Sequence, residues 1–226
     1  MSSDRIVYKL NQTKRYKSNW RRVVRFMAQC ALLRPVLRGS LRVKVEGKKN
    51  LRALDTKKPY IVVANHSSHL DMPIIHCTMP LKMSSRLAGA AANDYWFGGL
   101  LPRKFTRLLF NTFPVDRKGE KQYGGLASRL LDDGVPVAIM PEGKRSRTGK
   151  MGEFLPGAAR LSIEKDIPVV PVTLIGTHAA WRPGRPIWRV GCPIKVIFGE
   201  VLQPGGLSID SFNKKIKSTI KKNLGS

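Results

Sequence analysis

Three observations predict an α/β fold: a single domain whose mixed β-sheet is flanked by helices, with an N-terminal basic amphipathic helix. The chain has 226 residues, which suits one domain with a modest appendage. Short apolar segments with the length of buried strands alternate with segments of helical periodicity. The first part of the chain is much more basic than the rest. We therefore divide the chain into a basic N-terminal segment, residues 1–45, and a main domain, residues 46–226.

The N-terminal segment contains a predicted amphipathic helix. Residues 1–50 hold 14 Lys or Arg and only two acids. From Trp20 onward, apolar residues recur at three- and four-residue spacing and share one face: Trp20, Val23, Val24, Met27 and Ala31. A basic helix with Trp and Met on its apolar side suits a membrane interface. The same periodicity also fits a helix that packs its apolar face on the core of the domain, so both interpretations stay open.

The remaining elements follow from alternating patterns along the chain. Apolar, Gly-rich or β-branched runs predict strands at 59–64, 86–92, 109–115, 136–140, 168–175 and 194–198. Helical patterns lie between them, near 71–82, 95–108, 120–133 and 157–165. The tail from Ser208 predicts a helix with apolar residues on one side and a solvated lysine face on the other.

The charge of the protein predicts anionic partners. Forty-one Lys and Arg against fifteen Asp and Glu give a formal net charge of +26. Such a surface attracts nucleic acid, anionic lipid or phosphorylated substrates. Three scattered cysteines favour free thiols in a reducing compartment. No run of 18 apolar residues and no signal peptide are found. Composition alone does not choose among these anions. Without a span or an export signal, we expect a protein that is cytoplasmic or lies on the cytoplasmic face of a membrane, there as a peripheral or monotopic protein bound to its anionic surface.

Residues 65–71 carry the most chemistry. They follow the predicted strand 60–64, which delivers them to the sheet edge where open α/β sheets bind ligands. There His66 and Asp71 can meet, and a histidine oriented by a carboxylate is a general base. An alternative interpretation is a metal site in a metal-dependent hydrolase, formed by His66, His69 and Asp71.

Three further blocks follow in the chain. Residues 113–117 place Arg117 after a predicted strand, where a guanidinium suits a phosphate. Residues 141–146 read Pro-Glu-Gly-Lys-Arg-Ser, and residues 167–172 read Ile-Pro-Val-Val-Pro-Val. With the His-x4-Asp segment, these four blocks in this order resemble the glycerolipid acyltransferases of the lysophosphatidic acid type. Four ordered blocks are far more specific than one.

The resemblance implies roles for individual residues. His66 and Asp71 would be catalytic, and the acceptor hydroxyl would attack without an acyl-enzyme. The predicted phosphate and head-group residues are Arg117, Glu142, Gly143, Lys144, Arg145 and Ser146. Lys144 departs from the usual Thr of the third block, and this adds a cation. The predicted site residues of the fourth block are Val169, Val170, Pro171 and Val172. These residues would form either an apolar wall of the acyl channel or a plain core strand.

The predicted activity is transfer of a fatty acyl group to 1-acylglycerol 3-phosphate, giving phosphatidic acid in phospholipid biosynthesis. The partners would be a lysophospholipid acceptor and a donor, acyl-CoA or acyl-carrier protein, which serves as co-substrate; no cofactor and no metal are expected. Glycerol 3-phosphate or another lysophospholipid is the alternative acceptor. A basic nucleic-acid-binding protein is the alternative from another class, but we expect no nucleic acid because charge alone does not explain four ordered blocks.

Overall fold

The structure, a computed structural model, describes residues 13–92, 103–115 and 125–225. Its centre is a seven-stranded mixed sheet in the order β1-β7-β6-β2-β5-β3-β4. The strands are β1 Arg42–Glu46, β2 Ile61–Ala64, β3 Ala88–Ala92, β4 Phe113–Val115, β5 Val137–Ile139, β6 Val169–Ile175 and β7 Pro193–Phe198.

The sheet has one antiparallel pair, β6 with β7, and the other neighbouring strands run parallel. Consequently the carboxyl ends of β2, β3, β4, β5 and β6 share one edge. Because β7 runs the other way and β1 is parallel to it, β7 and β1 both begin at that same edge. In the register, Ile175 pairs with Lys195 and Arg42 pairs with Pro193. We call the edge at which β2 to β6 end the carboxyl edge.

Helices cover the sheet. They are α1 Asn19–Ala28, α2 Arg34–Ser40, α3 Asp71–Thr78, α4 Leu81–Ser84, α5 Arg103–Phe110, α6 Leu126–Asp132, α7 Gly157–Lys165, α8 Thr177–Ala180 and α9 Ile209–Leu224. A π-helical turn, Gln29–Leu33, joins α1 to α2, and a 3₁₀ helix, Lys48–Ala53, follows β1. Side chains on the two faces of the sheet form two apolar cores. Val62 and Val170 belong to one, and Val63 and Val169 to the other, as the two-residue period of a strand requires.

The N-terminal helices form a continuous run from residue 19 to residue 40. Their buried side chains recur at every fourth residue: Arg25, Gln29, Leu33 and Leu37. A spacing of four would drift around an α-helix, which has 3.6 residues per turn. The π-helical turn adds a residue in the middle of the run and keeps the four positions on one face.

The buried face of this run is polar where α1 contacts the domain. Arg25 Nε donates to the Leu108 carbonyl at 2.7 Å, and its Nη2 donates to Asn111 Oδ1 at 2.8 Å. Gln29 Nε2 donates to the Leu109 carbonyl at 2.8 Å. Burial lowers the pKa of Arg25 to about 10, so the guanidinium stays charged at neutral pH.

The opposite face is apolar and exposed. Trp20 is 63% exposed and Met27 is 59% exposed, and Val23, Val24, Leu32 and Val36 are exposed with them. The periodicity anticipated this stripe but left its direction open. Here the stripe points away from the core. Among the residues that the structure describes, no helix is long and apolar enough to cross a membrane.

The predicted α/β fold with a mixed sheet and flanking helices is confirmed, with differences in detail. The strand β1 was not predicted, and the proposed boundary between residues 45 and 46 falls inside it. Leu109 and Phe110, predicted to start a strand, end α5. Residues 93–102 lie outside the described part, so most of the predicted helix 95–108 is not described there. The tail helix buries Phe212, Ile216 and Ile220, as its pattern predicted.

Candidate active site

The segment 65–71 lies at the carboxyl edge, where β2 ends. Asn65 fixes the start of the turn: its Nδ2 donates to the Leu174 carbonyl at 2.9 Å, and its Oδ1 accepts from Leu174 N at 2.8 Å. This side chain thus continues the pairing with β6 after the strand itself has ended. Asp71 is the first residue of α3. The turn is therefore held between a central strand and a helix N-terminus.

His66 and Asp71 form the pair that their spacing predicted. The distance from His66 Nδ1 to Asp71 Oδ2 is 2.8 Å. The carboxylate is fully buried, whereas the imidazole is 18% exposed. An ionised carboxylate only accepts hydrogen bonds, so we assign the proton of the neutral ring to Nδ1. His66 Nε2 then carries the lone pair that a general base needs.

Asp71 also holds the backbone of the turn. Its Oδ2 accepts from Ser67 N and from Ser68 N, each at 2.8 Å. One oxygen thus receives three donors, and its place in the first turn of α3 favours a negative charge. The local fold of the turn and the orientation of the imidazole therefore depend on the same carboxylate.

Glu142 ties the third block to the first. Its Oε1 accepts from His66 N at 2.7 Å, and its Oε2 accepts from Gly152 N at 2.9 Å. Ser146 N donates to the His66 carbonyl at 2.9 Å and completes the link. Burial raises the pKa of the Glu142 carboxyl, and the two N–H donors partly offset this rise. The described hydrogen bonds of Glu142 are with the backbone N–H groups of His66 and Gly152, so its carboxylate holds these two segments together.

The cationic residues of the third block surround the turn. Arg145 Nη1 lies 2.6 Å from Nδ1 and 2.7 Å from Nε2 of His69, so its guanidinium rests against that ring. Burial, reinforced by Arg145, lowers the pKa of His69 to about 4, and the ring is neutral. Lys144 is exposed. Gly143 has φ 68°, a left-handed conformation that glycine adopts without strain.

The loop after α8 closes the other side of the turn. Ser68 Oγ donates to the Trp181 carbonyl at 2.7 Å, and His69 N donates to it at 3.4 Å. The Trp181 ring lies 4.9 Å from the His69 ring between centroids. This buried tryptophan was not predicted, because it stands 110 positions from Asp71 and no local pattern marks it.

The fourth block forms the middle of the sheet. Residues 169–172 are fully buried in β6, and their side chains alternate between the two cores. This placement fits a core strand, and the role in an acyl channel stays a prediction. Arg117 lies outside the described residues, so its predicted contact with phosphate also stays a prediction.

The alternative metal site would need His69 beside His66 and Asp71, but His69 contacts Arg145 instead. In the described ranges, no three His, Cys, Asp or Glu side chains come together in a way that could hold a metal ion.

The sequence and the fold place this site in a known family. The family described as Acyltransferase matches residues 42–175. This range includes β1 to β6, the turn 65–71 and the third block, 141–146. The chain belongs to the acyltransferase family. The assignment to the glycerolipid acyltransferases, made from the four blocks, is confirmed, and the match begins at β1, the strand that the sequence analysis missed.

Named relatives agree with this assignment. A Mycoplasma genitalium protein named "Probable 1-acyl-sn-glycerol-3-phosphate acyltransferase" is 30% identical over 168 residues, which are 70% of this chain and 62% of that protein. The 1-acyl-sn-glycerol-3-phosphate acyltransferase of Limnanthes douglasii is 27% identical over 183 residues, 77% of this chain and 59% of its own length. The chain therefore spans about six-tenths of the length of these curated relatives.

A solved structure has the same fold. The crystal structure of the 1-acyl-sn-glycerophosphate acyltransferase PlsC from Thermotoga maritima matches with a TM-score of 0.63 and 25% sequence identity. The match covers 81% of this chain and 71% of that one.

Proposed function

We propose that this acyltransferase moves a fatty acyl group from a thioester donor, acyl-CoA or acyl-carrier protein, to the free hydroxyl of 1-acylglycerol 3-phosphate. The observation that carries the proposal is the His66–Asp71 pair at the carboxyl edge, in which His66 Nδ1 lies 2.8 Å from Oδ2 of the buried Asp71 carboxylate. The names of the relatives supply the acceptor.

The chemistry follows from the tautomer of His66. With Nδ1–H donated to Asp71, Nε2 accepts the proton of the acceptor hydroxyl as its oxygen attacks the thioester carbonyl. Asp71 stabilises the imidazolium that forms. When the C–S bond breaks, the proton on Nε2 passes to the leaving thiolate. An ester and a free thiol result, and His66 returns to its starting state.

The acceptor head group would bind through cations near this turn. The Glu142 carboxylate bonds to His66 N, and Lys144 and Arg145 are the second and third residues after Glu142 in the chain. Arg145 also contacts His69 in the catalytic turn. Arg117 is proposed as a third cation from the second block, with Gly143 and Ser146 completing the head-group site. A phosphate monoester suits guanidinium groups, which offer paired N–H donors.

We also propose that the protein attaches to an anionic membrane surface through its N-terminal helices, on the cytoplasmic side. The exposed stripe that includes Trp20, Val23 and Met27 would enter the head-group region, with the exposed Arg21 and Arg22 beside it. The run ends at Ser40 and passes into β1, which begins at the carboxyl edge. This connection supports delivery of a lipid acceptor to His66 from the membrane side.

The test is a product analysis with purified protein. Acyl-CoA and acyl-carrier protein thioesters are each offered with 1-acylglycerol 3-phosphate, glycerol 3-phosphate or lysophosphatidylcholine, and products are identified by mass. We expect phosphatidic acid to form fastest, and we expect His66→Ala to abolish most of it. Faster acylation of glycerol 3-phosphate would overturn the proposed acceptor, and salt-sensitive RNA binding without any acyl transfer would overturn the proposed function.

A further inference from the structure

The loop between α8 and β7 exposes apolar side chains at the carboxyl edge. Ile187 is 58% exposed and Val190 is 74% exposed. Arg182 and Arg189 are exposed in the same loop. Apolar side chains interleaved with arginines suit the boundary between anionic lipid head groups and acyl chains.

This loop is anchored to the N-terminal helices. Trp188 Nε1 donates to Ser40 Oγ at 3.1 Å, and Gly191 N donates to the Ser40 carbonyl at 2.7 Å. Ser40 ends α2. The exposed Val36 lies one turn earlier in the same helix, within the reach of side chains four residues apart. The C-terminal end of the helical run and the loop that carries Ile187 and Val190 are thus joined at Ser40.

The base of the loop is also attached to the catalytic turn. The buried Trp181, whose carbonyl accepts hydrogen bonds from Ser68 and His69, starts the loop. Its indole Nε1 donates to the Arg185 carbonyl at 2.8 Å, and its ring lies 5.4 Å from that of Trp188. A continuous set of contacts therefore runs from His69 through two tryptophans to Ser40.

From these contacts we infer that residues 182–190 form a second lipid-contacting element of the protein, which inserts Ile187 and Val190 into an anionic bilayer beside the N-terminal helices. The inference rests on the membrane attachment in the proposed function and deepens it. The apolar stripe runs along the N-terminal helices and the loop lies to one side of it, so together they define a plane and fix how the carboxyl edge faces the bilayer. The loop lies between that plane and the catalytic turn and guides the lipid acceptor toward His66.

The first experiment reports contact directly and needs no turnover. A single cysteine replaces Val190, Met27 or Leu207 in a Cys30→Ser, Cys192→Ser background, in which the remaining Cys77 is buried. Each variant carries a polarity-sensitive fluorophore and is mixed with phosphatidylcholine vesicles with or without phosphatidylglycerol. Leu207 is the matched control: it is an exposed apolar residue five positions after Leu202, which pairs with Val169 at the start of β6, the end of that strand away from the catalytic turn.

The outcomes separate the loop from the membrane attachment. We expect blue shifts at positions 190 and 27, larger with phosphatidylglycerol, and none at 207. A shift at 27 without one at 190 would overturn the loop proposal and leave the attachment standing. No shift at either position would overturn both. The position 190 variant is also titrated with acyl-carrier protein in the absence of vesicles. A shift there, with none on vesicles, would make the loop a protein-docking surface and overturn the proposal.

The second experiment tests the consequence for turnover. The double variant I187E/V190E is compared with Leu207→Glu on 1-acylglycerol 3-phosphate in vesicles and on a short-chain, monomeric analogue. We expect the ratio of the vesicle rate to the monomer rate to fall about tenfold in the double variant, since charged side chains do not enter the acyl region. The ratio should not change in Leu207→Glu. An equal loss on both acceptors would assign the loop to support of the site alone.

Discussion

At the residue scale, the site depends on two carboxylates with different tasks, the fully buried Asp71 and the partly buried Glu142. Asp71 orients the imidazole of His66 and also holds the turn, whereas Glu142 bonds to the backbone on either side of the site. The donors to Asp71 are the His66 ring and the backbone N–H groups of the turn, and the donors to Glu142 are two backbone N–H groups. Backbone N–H groups keep them in place, so the site has its geometry before a substrate arrives.

The first prediction concerns the base. His66→Ala should lower kcat by about 10²–10⁴-fold, the usual contribution of a general base, while circular dichroism and melting temperature stay close to those of the wild type. Asp71→Asn should lower kcat to a comparable extent because an amide does not stabilise an imidazolium. Turnover by His66→Ala within a few-fold of the wild type would disprove this mechanism.

The second prediction isolates Glu142. In Glu142→Gln, one amide oxygen remains to accept a hydrogen bond, and the NH₂ group faces an N–H donor. We expect kcat to fall about tenfold or more, since one charge-assisted hydrogen bond contributes about 1.5–3 kcal/mol. Glu153→Gln is the control, because that side chain is exposed and pairs with Lys217 at the surface. Equal rates for the two variants would remove Glu142 from the support of the turn.

The third prediction concerns head-group recognition. Arg145→Ala should raise KM for 1-acylglycerol 3-phosphate more than KM for the acyl donor. Arg145→Lys should lower the acceptor KM again only in part, because lysine keeps the charge but lacks the planar guanidinium fork. Arg117→Ala should behave alike. Arg147→Ala, an exposed arginine two positions further on, is the control. A change confined to the KM of the donor would move Arg145 to the donor site.

At the scale of elements, the first half of the N-terminal run turns polar side chains, Arg25 and Gln29, toward the domain and an apolar stripe outward, whereas Leu33 and Leu37 farther along are core residues. Arg25 and Gln29 bond to main-chain carbonyls of α5, and these bonds fix the helix on the domain without apolar packing at those positions. A hydrophobic pattern alone could not decide this orientation, because an apolar stripe has the same period whichever way it faces.

The fourth prediction tests the direction of that face. Trp20→Glu combined with Met27→Glu should sharply reduce co-sedimentation with anionic vesicles, and binding of the wild type should fall as salt rises. The comparison variant, Lys214→Glu with Lys215→Glu, removes charge from the lysine face of α9. If only the lysine variant lost binding, α9 rather than α1 would be the membrane anchor.

The sequence predicted most elements because strands and helices of a layered sheet have distinct periods. It also predicted His66 and Asp71, since residues five apart on one turn meet locally. It missed Trp181, which contacts the turn from a distant part of the chain, and Gly152, which donates to Glu142. It missed β1 as well, because alternating Arg42, Val43, Lys44 and Val45 make a short, partly exposed strand with no apolar run.

At the scale of the whole molecule, the buried histidines make stability depend on pH. His76 is fully buried between Gln29, Ser84 and Phe110, and burial lowers its pKa to about 3. Burial likewise lowers the pKa of His69 to about 4. An unfolded histidine titrates near 6.5, so in mildly acidic solution the unfolded state binds protons that the folded state excludes. Stability is full above pH 6.5 and falls as the pH drops toward these lowered values.

The fifth prediction measures this effect. His76 alone should cost about 2 kcal/mol of the free energy of unfolding between pH 8 and pH 5, since pH 5 lies 1.5 pH units below 6.5 and each unit is worth about 1.4 kcal/mol. Urea titrations at both pH values should show this loss. His76→Gln does not titrate and should reduce the pH dependence by about that amount, whatever its stability at pH 8. An unchanged dependence would contradict the assignment.

The π-helical turn has a consequence for the length of the chain. With its extra residue, the buried positions are separated by four, four and four; deletion of Ala31 would make the separations four, three and four. A regular α-helix places residues at that spacing on one face. The same side chains would therefore stay buried after the deletion. We expect the loss of one residue here to be tolerated, whereas a deletion within α1 would rotate Trp20 and Val23 away from their present side.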